Sequence, residues 1–381
     1  MKLLVVGSGV AGAAFSQLAA NDRHAVTMIE QGPFESPRGY AMNLCPRALD
    51  VLRLMGMLDE IWQLRIPIHQ LNMLDSAGTQ VRCDDLSQLT ARDGKLGCYV
   101  ERGSLLASLR ERCTNVDVRY NCRLESIVAG DSEIVVQLSD GSELAFDAVV
   151  GADGLHSSVA RLAFEPAQPI DLGVSFAFVR APNLRRLPIA TYNLSAPRKL
   201  CGLTGLSEEE VGIMLFWYTQ DYDHEQGIRG RDLRKLCESF GFGIPEIVAS
   251  LPDNQLVYYD RMLLVQRATW SQGRCVLLGD AAHCTSPLST KGAATGLAGA
   301  YILAKELAIQ SSFQAACASY ENRLRPGVER IQKRTQQNVR RMLASNERDA
   351  VWRNRILRLI PSGVMRSMMV KSQSDAIVSA L

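Results

Sequence analysis

The first thirty residues limit the fold more than any other part of the chain. Residues 2–6 (KLLVV) are an apolar run of strand length, and glycines follow at 7, 9 and 12. A helical stretch then runs from Gly12 to Ala20, and HAVTMIE gives a second strand ending at Glu30. Strand, glycine turn, helix and strand at this spacing make a βαβ unit, whose two strands lie parallel in one sheet. The first glycine makes the tight turn, the second lets a diphosphate approach the backbone, and the third lets helix and strand pack closely. The free N–H groups and partial positive charge of the helix N-terminus suit phosphate. Glu30, eighteen residues after Gly12, stands where an acid takes a ribose hydroxyl. A glutamate there suits an unphosphorylated ribose, as in FAD or NAD, and disfavours NADP in this pocket.

The same N-terminus has the lysine, apolar run and small residues of a signal peptide. The regular glycines make strand-then-turn the better reading. No apolar run reaches the roughly 18 residues that a membrane span needs. At 381 residues the chain suits two domains around a shared site. A net charge of +2 points to neither nucleic acid nor membrane. The ten cysteines contain no C-x-x-C, and the five histidines never stand at i, i+4. A zinc site therefore lacks its usual spacing, and no metal is expected. Scattered thiols fit a reducing cytoplasm.

Two further apolar strands end in glycine breaks. DAVVGADGLHSSVAR (147–161) carries Asp153 and Gly154, and VLLGDAAHCTSPLSTKGAATGLAGA (276–300) carries Asp280 followed by almost only small residues. Residues 46–64 have apolar positions at helical spacing, RGSLLASLRERC is a helix opened by Arg102, and Asp140-Gly141 turns a hairpin. The middle runs LGVSFAFVRA, EVGIMLFWYTQ and LVYYDRMLLVQ are β-type and suggest an antiparallel sheet, with a helical insertion between the last two. The last fifty residues are basic and helical up to Pro361.

Taken together, the three glycine motifs resemble the fingerprints of flavin-dependent monooxygenases of the p-hydroxybenzoate hydroxylase fold. GDAAHCTSPLSTKG running into GAYILAKEL resembles the branch containing the tetracycline-inactivating enzymes. The resemblance covers nearly the whole chain and implies an α/β fold. Its FAD-binding domain, Rossmann-like and of glutathione-reductase type, takes residues 1–66, 94–166 and 266–322. An inserted substrate domain on a mainly antiparallel sheet takes 67–93 and 167–265, and a C-terminal helical segment takes 323–381. By the same resemblance Gly7, Gly9, Gly12 and Glu30 hold the ADP half of FAD, and Arg102 lies near the ribityl chain and diphosphate. Leu124 supplies backbone near adenine, and Asp153 and Gly154 belong to a motif linked to both FAD and the nicotinamide donor. Asp280 accepts a hydrogen bond from the flavin's sugar-alcohol chain, and Pro287 packs beside the ring. The helix starting near Gly292 aims its N-terminus at the ring, where its dipole stabilises the charge of reduced flavin. Arg38 and Asn43 match a segment that lines the flavin and substrate side; a turn followed by an ordinary strand explains them equally well.

Thr290-Lys291 departs from the family, which has a glycine and usually a polar or glycine residue before Gly292. Either Lys291 adds positive charge near reduced flavin or it points into solvent; the second is favoured because lysine usually stays hydrated. His283 invites a general-base reading, and a histidine hydrogen-bonded within its loop is the favoured alternative. Phe216, Trp217 and Tyr218 are read first as sheet core, although alternate members can face a pocket. The basic C-terminal stretch with Trp352, Ile356, Leu357 and Ile360 is expected to pack across both domains rather than to touch acidic lipid.

The implied activity is an aromatic monooxygenation. NAD(P)H, a transient visitor, would reduce FAD, and O2 would form a C4a-hydroperoxyflavin that hydroxylates an aromatic or polycyclic, polyketide- or tetracycline-like small molecule. A flavoprotein reductase or dehydrogenase of the same fold is the alternative. A flavin-dependent halogenase is disfavoured because its W-x-W-x-I-P signature is absent.

Overall fold

The computed structural model describes residues 1–34, 39–130, 132–222 and 227–373. A six-stranded sheet runs in the order Ser271–Gln272, Cys275–Leu277, Ala148–Gly151, Lys2–Val6, Ala25–Glu30, Asp117–Tyr120. Every pairing in it is parallel except the short Ser271–Gln272 hairpin edge. Its inner strands are near-continuous apolar runs because helices cover the sheet. Leu3, Leu4, Val149, Val150 and Val276 are fully buried.

Three strands that lie far apart in sequence stand side by side here. Val6 pairs with Gly151, and Gly151 pairs with Leu277. Because these strands are adjacent and parallel, the turns bearing Gly7, Asp153 and Asp280 all leave from the carboxyl ends of neighbouring strands. That end is where an open α/β sheet places its ligand.

The second sheet has eight strands, in the order Ile228–Arg229, Leu256–Leu264, Ile170–Pro182, Glu210–Tyr218, Lys199–Gly205, Thr191–Ala196, Gln70–Asp75, Gln80–Asp85. It is antiparallel except where Thr191–Ala196 meets Gln70–Asp75. Its two faces differ. Trp217 is buried on one, beneath the short helices Gly230–Cys237 and Ile244–Ala249. Phe216 and Tyr218 belong to the other, with Phe176, Phe178 and Met262. The period of two thus splits the 216–218 set: Trp217 is core, and its neighbours face the first sheet's motifs through Tyr40 and Leu288.

Three expectations change in detail. The stretch 46–64 is two helices, Pro46–Leu54 and Leu58–Gln63, broken where Gly56 takes φ +69. The insertion also divides in two, at Phe242 and Gly243 with φ of 54 and 70. The C-terminal segment is three helices, Phe313–Met342, Glu347–Leu359 and Ser362–Gln373. They join both sheets: Gln332 donates to the carbonyls of Val265 and Cys284, Tyr320 donates to Leu277, and Tyr218 donates to Leu343. Arg82, bidentate to Asp84 at 2.6 and 2.7 Å, also donates to the carbonyls of Leu357 and Ile360.

Candidate active site

Each glycine of the first motif can be judged against the chain alone. Gly7 has φ +98, and a Cβ there would lie 2.5 Å from the Ala152 carbonyl oxygen. A Cβ on Gly12 would lie 2.0 Å from the Gly7 oxygen, so glycine is what lets helix Val10–Asn21 sit on its strand. Gly9 differs. Its φ of −66 and ψ of −178 suit any residue, and a Cβ there meets nothing within 4 Å. Nothing in the protein requires a glycine at this position. A ligand lying on the turn would, and this is the cradle that a diphosphate fits.

Glu30 closes the strand beside that turn. One carboxylate oxygen accepts from the Ser8 N–H at 2.9 Å and the Ser8 hydroxyl at 3.0 Å, and the other accepts from the Gly32 N–H at 3.0 Å. Three donors orient the group, and the oxygen facing Gly32, with only one donor, keeps a lone pair for a ribose hydroxyl. Arg110 stands 3.9 Å away. The loop leading to Leu124 crosses over Glu30, since Cys122 N–H donates to the Glu30 carbonyl at 2.9 Å. Leu124 itself is buried in the core, leaving only its backbone for an adenine.

Asp153 is engaged within its own turn. Its carboxylate accepts from the Ser157 hydroxyl at 2.5 Å and from the Ser158 N–H and hydroxyl, both at 2.6 Å. It therefore fixes the start of helix Ser158–Ala163, while Gly154, at φ +80 with open space around it, makes the turn.

Asp280 has the character of a cleft residue: open to solvent by surface area, yet enclosed by protein deeply enough that burial pushes its carboxyl up. The Arg102 guanidinium opposes that rise. Arg102 begins helix Arg102–Glu111, and its N–H donates to the Tyr40 carbonyl at 3.1 Å. A Cβ on Gly292 would lie 3.9 Å from Asp280 Oδ1, so the carboxylate stands beside the N-terminus of helix Gly292–Ile309. Pro287 is exposed between them, in a turn bounded by two non-glycine residues at positive φ, Ser286 (65) and Thr290 (57). Left-handed backbone is costly for a β-branched residue. Thr290→Gly is expected to raise stability by about 0.5–1 kcal/mol, the strain relief exceeding glycine's added chain entropy. A higher urea midpoint at unchanged slope is the measurement.

Lys291 does not point into solvent. It is 4% exposed, and its ammonium donates to Gln373 on the last helix. Burial pulls its pKa down. Hydration did not decide its place because a partner 82 residues further on covers it.

His283 is likewise not held by its loop. It is 1% exposed and lies against Trp270 with ring centroids 4.7 Å apart; neither ring nitrogen has a hydrogen-bond partner among the described residues. Burial pulls its pKa down to about 4, so it is neutral at pH 7. The unfolded chain binds that proton near pH 6.5. Between pH 6.5 and 4 the unfolded state thus carries more protons, and stability falls as pH falls through that window, by about 3 kcal/mol. His283→Phe is expected to flatten the dependence of the unfolding midpoint on pH over that window.

Near Arg102 and Asp280 stands an aromatic wall, of which sequence reading singled out only Phe216. Tyr40 meets Phe176, Phe178 and Tyr258 at centroid distances of 5.8, 5.9 and 6.5 Å, and Phe176 meets Phe216 at 5.0 Å. Asp260 stands among them, accepting from the Tyr258 hydroxyl at 3.3 Å, and burial raises its carboxyl. Alternation in VSFAFV was the available signal. Asn43 donates to the Leu96 carbonyl at 3.2 Å and leaves its own side-chain oxygen buried without a partner among the described residues. Arg38 lies outside the described residues.

Residues 1–335 match the family model described as an FAD binding domain. The chain belongs to this family of flavin-dependent monooxygenases. A flavin-dependent monooxygenase of Legionella longbeachae serogroup 1 (strain NSW150) is 28% identical over 340 residues, 87% of each chain. Another, from an unknown prokaryotic organism, is 28% identical over 334 residues, 86% of each. Among solved structures, tetracycline destructase Tet(55) superposes with a TM-score of 0.81 at 26% identity, covering 98% of this chain and 97% of its own. The monooxygenase is thus an FAD-binding oxidoreductase, and its glycine cradle, Glu30 and the Arg102–Asp280 pair are residue types that suit FAD. None of its described helices is long and apolar enough to cross a membrane.

Proposed function

We propose that this monooxygenase uses NAD(P)H and O2 to hydroxylate a flat aromatic or polycyclic small molecule, of polyketide or tetracycline type. The observation that carries this reading is the approach of two groups of residues. Tyr40, which joins the Phe176–Phe216 aromatic cluster, lies within electrostatic reach of Arg102 and Asp280, beside the start of the Gly292 helix. FAD, when bound, would supply the electron transfer and oxygen activation that no side chain offers. The chain's own residues bind and orient. Gly9 would admit the diphosphate, Glu30 would take a ribose hydroxyl, and Asp280 would accept from the ribityl chain. The helix N-terminus would stabilise the negative charge gained on reduction. The part-exposed rings of Tyr40 and Phe216 would offer surfaces to stack on and help exclude water.

Lys291 carries its charge at the start of that helix, and we assign it a part in raising the cofactor's reduction potential. Lys291→Met with an unchanged potential removes the assignment. The activity itself is tested by turnover of polycyclic aromatics under labelled O2. One labelled oxygen atom in the product is the expected result. NAD(P)H consumption with an unlabelled, reduced product would make the protein a reductase instead.

A further inference from the structure

The last two helices combine exposed apolar side chains with an excess of positive charge. Fifteen large apolar residues are exposed among the described residues, and six of them fall between 351 and 368: Val351, Trp352, Ile356, Leu359, Val364 and Met368. Trp352, Ile356 and Leu359 recur at i, i+4 and i+7, on one outward face of helix Glu347–Leu359. Leu359 is 81% exposed and Trp352 62%. Single exposed leucines need no explanation, but a contiguous patch does.

Charge marks the same segment. Residues 347–373 hold six cations against two carboxylates, net +4, in a chain whose total is only +2. The remainder of the protein is therefore net negative. Arg348, Arg355 and Arg358 are exposed on the apolar helix and have no carboxylate partner among the described residues. Arg355 instead lies over the Trp352 ring, 5.8 Å from its centroid. The inner side of the helix is already fixed, by Arg82 on its C-terminal carbonyls and by Arg353 donating to the Met342 carbonyl at 3.3 Å. The outward face is thus presented by a docked helix, not by a loose tail.

We propose that this face is an interfacial anchor that lays the monooxygenase on an anionic phospholipid surface. Tryptophan, isoleucine and leucine enter the headgroup–acyl boundary while neighbouring arginines meet lipid phosphates, their apolar stems lying along the patch. Each arginine near such a surface strengthens binding roughly fivefold. A second copy of the chain fits less well: a two-fold contact would set the same arginines against one another. An anionic bilayer supplies both the apolar layer and the opposite charge.

The full-length protein carrying FAD is sedimented with vesicles of phosphatidylglycerol and phosphatidylcholine, and separately with phosphatidylcholine alone. The expected result is co-sedimentation with the anionic vesicles, weakened roughly tenfold on the neutral ones and by added salt. Trp352→Ser with Leu359→Ser, and separately Arg355→Glu with Arg358→Glu, are each expected to lose about tenfold in binding. These side chains are exposed, so flavin content and thermal midpoint are expected to stay as in the parent protein. Wild-type protein left in the supernatant overturns the proposal, as does binding indifferent to lipid charge or to the substitutions. A dimer by light scattering that Trp352→Ser dissolves, without vesicle binding, would assign the face to a second copy.

Discussion

Alanine at Gly9 is expected to leave the fold intact and to weaken its hold on FAD, whereas alanine at Gly12 is expected to destroy the fold itself. The two glycines stand three residues apart in one motif, but they answer to different neighbours. At Gly12 the new methyl group would lie 2.0 Å from the Gly7 oxygen and 3.1 Å from the Ala152 Cβ. Backbone cannot yield there as a flexible side chain would, so the helix must leave its strand. The cost is at least about 3 kcal/mol, a large share of the roughly 5–15 kcal/mol that holds a domain together. At Gly9 the methyl group meets no protein atom within 4 Å and the backbone is unstrained. It would project where a diphosphate approaches, weakening FAD by roughly ten- to a hundredfold. Urea unfolding of the apoproteins and flavin absorbance of the holoproteins separate the two effects. Equal loss of stability in both variants would contradict the division.

Removing Asp280 is expected to act in opposite directions on cofactor and fold. Burial raises its carboxyl even though Arg102 pulls the other way. A raised carboxyl makes its ionised form a burden on the apoprotein. Its stabilising share is complete below the unfolded carboxyl's pKa and is lost as pH rises through the folded value. Asp280→Ala should therefore leave the apoprotein as stable at pH 7 as before, or more so. The same change removes a charged acceptor from the flavin site. A hydrogen bond to a charged group contributes about 1.5–3 kcal/mol, so FAD should bind roughly ten- to a hundredfold more weakly. Titration calorimetry with FAD and a thermal melt of the apoprotein read the two sides. An Asp280→Ala apoprotein that melts well below the parent would show that the carboxylate serves the fold rather than the ligand.

What the sequence made legible is what is local. The βαβ unit at the N-terminus is written within thirty residues, and the structure places its strands at Lys2–Val6 and Ala25–Glu30 and its helix at Val10–Asn21. The three glycine motifs could be found one by one. That they share the carboxyl end of one sheet follows from the pairing of Val6, Gly151 and Leu277, which strand composition does not state. Misread elements turn on distant partners or on single backbone angles. Lys291 is buried because Gln373 returns to cover it. His283 packs on Trp270 and Trp270 on Tyr320, a stack assembled from three separate elements. The break at Gly56 needed its φ of +69 to be seen. The aromatic wall joins Tyr40 to residues near 176, 216 and 258, so no window of sequence contains it.

The most direct measurement is a visible absorption spectrum of the purified protein, repeated after NADPH is added without oxygen. The expected result is a yellow flavin spectrum that bleaches on reduction and returns when air is admitted, with faster bleaching when a polycyclic aromatic is present. A colourless protein that FAD cannot reconstitute would contradict the assignment of the cleft between Asp280 and the aromatic wall.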